Sequence, residues 1–168
     1  GTAATPVRLP DGVPLSAALG ALGMPGLTAY AAHVRHLRPR AGETVVVGAA
    51  TGGVGAVAGQ LARLSGARTV AIVGSPEKAT IATERLGYDA ALVRGDELAA
   101  ACPTGIGGYL HLGDQATLDV VMERLAVGAR VSLCGLMDQY NGAAPTQVRA
   151  GAIMAARAEV HGMVVYDH

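Results

Sequence analysis

The chain has no Phe and no Trp, and only five Tyr among its 168 residues. Aliphatic side chains must therefore fill most of the interior, and small residues must let its elements pack closely. Cysteine is scarce as well. Cys102 and Cys134 are far apart and form no Cys-x-x-Cys pair, so buried thiols are expected rather than a disulfide framework or a structural zinc. Charge is sparse: 13 basic and 13 acidic residues cancel, and charged residues make up 15% of the chain, against roughly 25% in an average soluble domain. A balanced charge gives no global attraction to nucleic acid or to an anionic membrane, and any anion site has to be local. So apolar an exterior implies surface to be covered by another lobe or subunit. No uncharged apolar run reaches the ~18 residues of a membrane span and no basic-then-apolar leader is seen, so neither a span nor a signal peptide is expected and a cytoplasmic setting is.

Where the chain is rich, it is rich in glycine and in short β-branched runs. Residues 1–14 carry three prolines and little periodicity and read as an extended lead-in. Pro25 can open a helix bearing Leu27, Tyr30, Ala31 and Val34 at helical spacing. Thr44-Val45-Val46-Val47-Gly48 then has the continuous apolar character of a strand buried on both faces. Helical and strand patterns alternate from there. Strands are expected at 69–73, 90–93, 109–112, 130–134 and 160–165, and helices at 54–64, 76–86, 116–125 and 147–156. This alternation predicts an α/β Rossmann fold over residues 15–168, a doubly wound six-stranded parallel sheet with helices on both faces.

The chemistry is concentrated behind the first strand, in Ala49-Ala50-Thr51-Gly52-Gly53-Val54-Gly55. A strand-to-helix turn of small residues lets the backbone approach a pyrophosphate, and the helix N-terminus then faces the anion. Ala49, Gly52, Gly53, Val54 and Gly55 are thus candidate cofactor contacts. An Asp or Glu at the end of the second strand would select NAD. This chain has Val73-Gly74-Ser75-Pro76 there. Gly74 leaves room, no carboxylate repels a 2′-phosphate, and Lys78 follows on the first helical turn, where a cation gains nothing from the helix dipole. Another cation, Arg94, follows the third strand. The histidines His33 and His36 are read as solvated helix residues, and no metal site is expected.

Four blocks carry a family resemblance: residues 22–30 (Leu-Gly-Met-Pro-Gly-Leu-Thr-Ala-Tyr), 42–47 (Gly-Glu-Thr-Val-Val-Val), the glycine loop with Val57-Ala58-Gly59-Gln60, and 134–141 (Cys-Gly-Leu-Met-Asp-Gln-Tyr-Asn). From Pro14 to Asp167 the chain resembles the cofactor domain of the zinc-independent medium-chain dehydrogenase/reductases, in their alkenal and prostaglandin reductase branch. The resemblance implies an NADPH cofactor, an enal or enone substrate, and hydride transfer to its β-carbon. It places Met24 and Thr28 against the nicotinamide, Lys78 on the 2′-phosphate, Arg94 near the same phosphate where relatives commonly carry a tyrosine, and Cys134, Gly135 and Tyr140 at the cofactor, with the Tyr140 hydroxyl able to donate to a developing enolate oxygen. It also implies a catalytic lobe outside this chain and a homodimer formed through the last strand.

One block departs from the family. Relatives carry Asn-Val-Gly-Gly after the fourth strand, whereas this chain has Leu112-Gly113-Asp114-Gln115. Asp114 is a good helix cap, but a carboxylate near cofactor phosphates is unfavourable, so weaker cofactor binding is expected. Two alternatives remain open on sequence grounds: an enoyl- or quinone-reductase module of a larger biosynthetic protein, and a non-catalytic Rossmann domain kept for association or nucleotide sensing.

Overall fold

The computed structural model describes residues 8–95 and 97–168; the first seven residues of the expected lead-in lie outside them. Residues 8–14 are irregular and lead into a single tight turn at Leu15–Ala18. Six parallel strands form one sheet in the order β3-β2-β1-β4-β5-β6. They are β1 (Thr44–Val47), β2 (Arg68–Val73), β3 (Ala90–Val93), β4 (Ile106–His111), β5 (Leu125–Leu133) and β6 (Glu159–Gly162). The helices are α1 (Met24–Ala31), α2 (Gly53–Leu64), α3 (Pro76–Thr80), α4 (Leu98–Ala101), α5 (Gln115–Met122), α6 (Met137–Tyr140) and α7 (Ala150–Ala156). Strand order reverses between β1 and β4, which opens a crevice at their carboxyl ends, the place where ligands of open α/β sheets bind.

Val45, Val46 and Val47 of β1 are fully buried, because helices cover both faces of the central strands. Val46 pairs with Val70 on one side and Tyr109 on the other. One core cluster, beneath α1, α2 and α3, is built largely from alanines such as Ala29, Ala58, Ala62 and Ala82. The other, on the α5 and α7 side, holds Ile72, Ile106, Leu118, Val121 and Met122. The aliphatic interior expected from composition needs one correction. Two tyrosines, Tyr88 and Tyr109, are also buried, and Tyr109 is among the largest fully buried side chains.

Several boundaries differ from the sequence reading for local reasons. α1 runs on to Leu37 with a wider turn, closed by the Arg38 amide donating to the His33 carbonyl at 2.8 Å. α5 stops at Met122, and Leu125, which reads as helical by pattern, instead pairs with Ile106 at the start of β5. The last strand ends at Gly162 instead of Val165. Met163 turns into the alanine-rich cluster, and Val165–Asp167 coils back towards α1. The apolar exterior is present: Leu15, Leu19, Leu64, Met154 and Tyr166 are each more than three-quarters exposed. No helix among the described residues is long and apolar enough to cross a membrane.

Candidate functional site

The turn from β1 into α2 is shaped by its small residues. Ala49 takes a left-handed conformation (φ 45°), and the Gly52 amide donates to its carbonyl at 2.8 Å. Gly52 then serves as the helix N-cap with an extended backbone. A Cβ on Gly55 would stand 2.6 Å from the Ala49 carbonyl oxygen and 2.7 Å from Ala50 Cα, so only glycine lets α2 sit this close to the strand. Gly53 has a different neighbour, since a Cβ there would meet Pro25 Cβ at 3.2 Å. The result is a twelve-residue helix whose first N–H groups lack intrahelical partners and face the crevice, the arrangement that holds a phosphate anion.

A cleft of about 390 Å³ opens above this turn. Ala49 and Gly52 line it together with Gly74, Lys78 and Arg94, so residues from the ends of β1, β2 and β3 meet in one place. Ser75 caps α3 by accepting from the Lys78 amide at 3.4 Å, which starts the helix that carries the exposed lysine. From the end of β3 the Arg94 side chain crosses Gly74, with Nε 3.6 Å from where a Cβ of that glycine would be. Its Nη1 reaches Asp114 at 3.4 Å.

Asp114 caps α5 as its residue type suggests. One oxygen accepts from the Thr117 amide at 2.8 Å and the other from the Thr117 hydroxyl at 3.0 Å. Burial alone would raise its carboxyl, but the Thr117 amide and hydroxyl and the Arg94 guanidinium outweigh it and hold the group below the ordinary carboxylate range. The carboxylate is therefore compensated rather than bare. Its arginine partner is invisible in the sequence because the pair exists only after β3 and β4 are laid into the sheet. Met137 and Asp138 of α6, within the 134–141 block, also line the cleft, though nothing in that block's pattern marks them as cofactor contacts.

Other expected residues do not line this cleft. Met24 is exposed, and Thr28 is buried with its hydroxyl donating to the Met24 carbonyl at 2.8 Å. Gly23 is the N-cap of α1. Val54 packs against the core. Gly135 lies past the end of β5, where a Cβ would touch Leu112 at 3.4 Å. Cys134 is partly buried, its thiol 3.3 Å from the Ser132 hydroxyl and pushed up to about 11 by burial, with the Ser132 hydrogen bond pulling the other way. Tyr140 sits at the end of α6 and is largely exposed.

The histidine pair also differs from expectation. His33 and His36 are half-buried, and each contacts a serine: His33 Nε2 lies 3.1 Å from Ser65 Oγ and His36 Nδ1 2.8 Å from Ser132 Oγ. The wide turn that continues α1 presses them onto the fold, and burial lowers the pKa of both. Among the described residues, no group of three or more His, Cys, Asp or Glu is placed to hold a metal ion.

With its strand order and its glycine turn, the molecule has the form of a Rossmann domain, the dinucleotide-binding unit of many oxidoreductases. The sequence matches the family described as zinc-binding dehydrogenase over residues 53–168. The chain belongs to that family, in its zinc-independent alkenal and prostaglandin reductase branch. It is 44% identical over 128 residues to the NADPH-dependent curcumin reductase of Escherichia coli, covering 73% of this chain and 37% of that protein. Prostaglandin reductase 1 of Mus musculus is 41% identical over 147 residues, 83% of this chain and 44% of the mouse protein. The crystal structure of CurA in complex with NADPH from Vibrio vulnificus superposes with a TM-score of 0.82 at 36% identity, over 90% of this chain and 48% of that one. The chain thus spans about half, or less, of the length of these relatives.

Proposed function

We propose that this chain is the NADPH-binding half of an oxidoreductase that reduces the carbon-carbon double bond of an enal or enone. The observation that carries the reading is the meeting of the glycine turn, the carboxylate-free end of β2 at Gly74, and the cations Lys78 and Arg94 in one cleft. The N-terminus of α2 accepts the pyrophosphate through backbone N–H groups. Lys78 and Arg94 neutralise the 2′-phosphate that distinguishes NADPH from NADH. The cradle fits the cofactor, because a Cβ at Gly55 would force α2 away from the strand. When bound, NADPH supplies the hydride.

Tyr140 is the candidate proton or hydrogen-bond donor to the enolate oxygen. Its exposure on α6 leaves the hydroxyl accessible to a carbonyl held by a second lobe. In this reading residues 1–14 lead in from such a lobe, the protein works in the cytoplasm, and two copies pair along β6, whose outer edge pairs with no strand among the described residues. Relatives named for 2-alkenal and (+)-pulegone reduction, 36% and 35% identical over 163 residues, support the substrate class. Titration of the 168-residue chain with NADPH and with NADH tests the reading: NADPH is expected to bind at least about tenfold more tightly, as one charge-assisted contact implies. Equal affinities would overturn it.

A further inference from the structure

The departure at Asp114 has a structural counterpart in Arg94. Asp114 is fixed at the start of α5 by two contacts with Thr117, and its side chain is only 17% exposed. Arg94 is anchored by its backbone at the end of β3, where its amide donates to the Val73 carbonyl at 2.9 Å, while its side chain is 56% exposed. A free arginine of that exposure would sample many rotamers. Here Nη1 is tethered to Asp114 at 3.4 Å, and Nε and Nη2 lie over Gly74, 3.6 and 3.9 Å from where a Cβ would be. The tether uses one end of the guanidinium. It leaves the Nε–Nη2 edge above the carboxylate-free end of β2, in the cleft that Lys78 also lines. An arginine edge carrying two parallel donors matches two oxygens of a phosphate.

We infer that Asp114 is a positioning residue for NADPH selectivity: it holds Arg94 across Gly74 so that the Nε–Nη2 edge receives the 2′-phosphomonoester of the adenosine ribose. This inference rests on the NADPH reading above and reverses the sign expected for a carboxylate beside the cofactor. Asp114 already has its capping partner and its cation, so its charge is largely spent locally, whereas the order it imposes on Arg94 is spent on the ligand. Ordering a rotamer-rich side chain at a binding site weakens a ligand about two- to tenfold, and the ion pair meets that cost before the cofactor arrives. Gly113 and Gln115, the residues flanking Asp114, carry no charge. Among the described residues, the other carboxylate lining the cleft is Asp138.

Asp114→Asn separates the tether from the cap, because Asn caps helices as well as Asp does. In the 168-residue chain, calorimetric titration should show NADPH weakened about fivefold, the middle of the range that ordering one side chain allows. NADH should change by less than about twofold on the same scale, and the melting temperature should hold. Adenosine 2′-monophosphate, a probe without the nicotinamide half, should follow NADPH, and adenosine 5′-monophosphate should follow NADH. In an Arg94→Ala background, Asp114→Asn should have no further effect on either dinucleotide. If the parent chain prefers NADPH yet Asp114→Asn tightens NADPH or leaves it unchanged, the positioning role is wrong and the NADPH reading stands. If the parent chain shows no preference, both fall together.

Discussion

The ring of Tyr88 occupies the volume into which a side chain at Gly59 would project. A Cβ on Gly59 would lie 2.1 Å from Tyr88 Cζ, and the Tyr88 hydroxyl donates to the Gly55 carbonyl at 2.7 Å. Glycines four apart on α2 thus form a groove for the tyrosine, which ties the phosphate-facing helix to the turn before β3. Gly59→Ala should destabilise the fold by about 1 to 3 kcal/mol through overpacking, despite the better helix propensity of Ala. Tyr88→Phe should cost about 1 kcal/mol, the usual net value of one hydrogen bond. Urea unfolding of both variants checks the order, and a Gly59→Ala protein as stable as the parent would contradict it.

That groove was not legible in the sequence, whereas the glycine loop one turn earlier was. The loop is a local matter: a β-branched strand, small residues and an amphipathic helix follow one another along the chain, so their geometry is set within a few residues. Tyr88 and Gly59 meet only because β2 and β3 pair side by side. The same distinction separates Lys78 and Gly74, readable from their offset to the second strand, from the Arg94–Asp114 pair, which needs β3 and β4 in place. Strand ends failed where apolar pattern and tertiary pairing conflict. Leu125 looks like more helix but pairs with Ile106, and Val164 looks like more strand but is exposed, while Met163 beside it enters the core.

His111 gives the fold a pH dependence. Its Nδ1 lies 2.8 Å from the Tyr109 hydroxyl, and its Nε2 is buried without a partner among the described residues. Burial pushes its pKa from 6.5 down to about 4, with Asp114 and Asp138 pulling the other way. The unfolded chain binds this proton first, so the contribution is complete above about pH 6.5 and is lost as pH falls towards 4. The loss is about 3 kcal/mol at roughly 1.4 kcal/mol per unit. His33 and His36 shift in the same direction, so the measurement is a difference: His111→Gln should show a shallower decline of stability between pH 6.5 and 4 than the parent. Parallel curves would show that His111 does not carry the slope.

Arg130 is an inward-pointing cation on β5. It donates to the Leu37 carbonyl at 2.7 Å and to both oxygens of Glu43, one at 3.0 Å, and is 6% exposed at its side chain. The Arg130 hydrogen bonds lower the Glu43 pKa, burial opposes them, and the Arg40 amide adds to the lowering. A depressed carboxylate stabilises the fold above its unfolded value, 4.5, and that contribution is lost as pH falls through the folded value. Glu43→Ala should cost about 3 kcal/mol at pH 7, because it leaves a buried guanidinium unpaired. It should also remove part of the acid transition below pH 4.5. Guanidinium chloride would mask the ion pair, so urea is the appropriate denaturant.

Lys78 should govern the salt dependence of cofactor binding. It is exposed on the first turn of α3, where a contact with a 2′-phosphate would remain open to screening. Lys78→Ala should weaken NADPH about tenfold at low ionic strength, the low end for a charge-assisted contact, and leave NADH within about twofold on the same scale. The gap between parent and variant should narrow as salt is added. A variant that loses NADH and NADPH equally would place Lys78 on the pyrophosphate instead.

The 168-residue chain, although able to hold the cofactor, should not turn over an enone at the rate of a complete reductase. Hydride transfer needs the acceptor carbon held about 3 to 3.5 Å from the donor, and effective molarities of order 10⁵ M or more depend on that alignment. Met24 and Tyr140, both assigned to the reaction by family resemblance, stand exposed, 58% and 71% respectively, with no element among the described residues closing over them. Water therefore reaches the face where the substrate carbonyl would be polarised, and each hydrogen bond there is weaker than in a closed site. Supplying the other half of a relative such as the curcumin reductase, fused ahead of Leu15, should restore activity if the apolar surface at Leu15, Leu19, Leu22 and Leu27 recovers a partner. The assay is NADPH oxidation with a simple enone, for the chain alone and for the fusion. Turnover by the chain alone above about 1 s⁻¹, within the ordinary enzyme range, would mean that this half closes its own site.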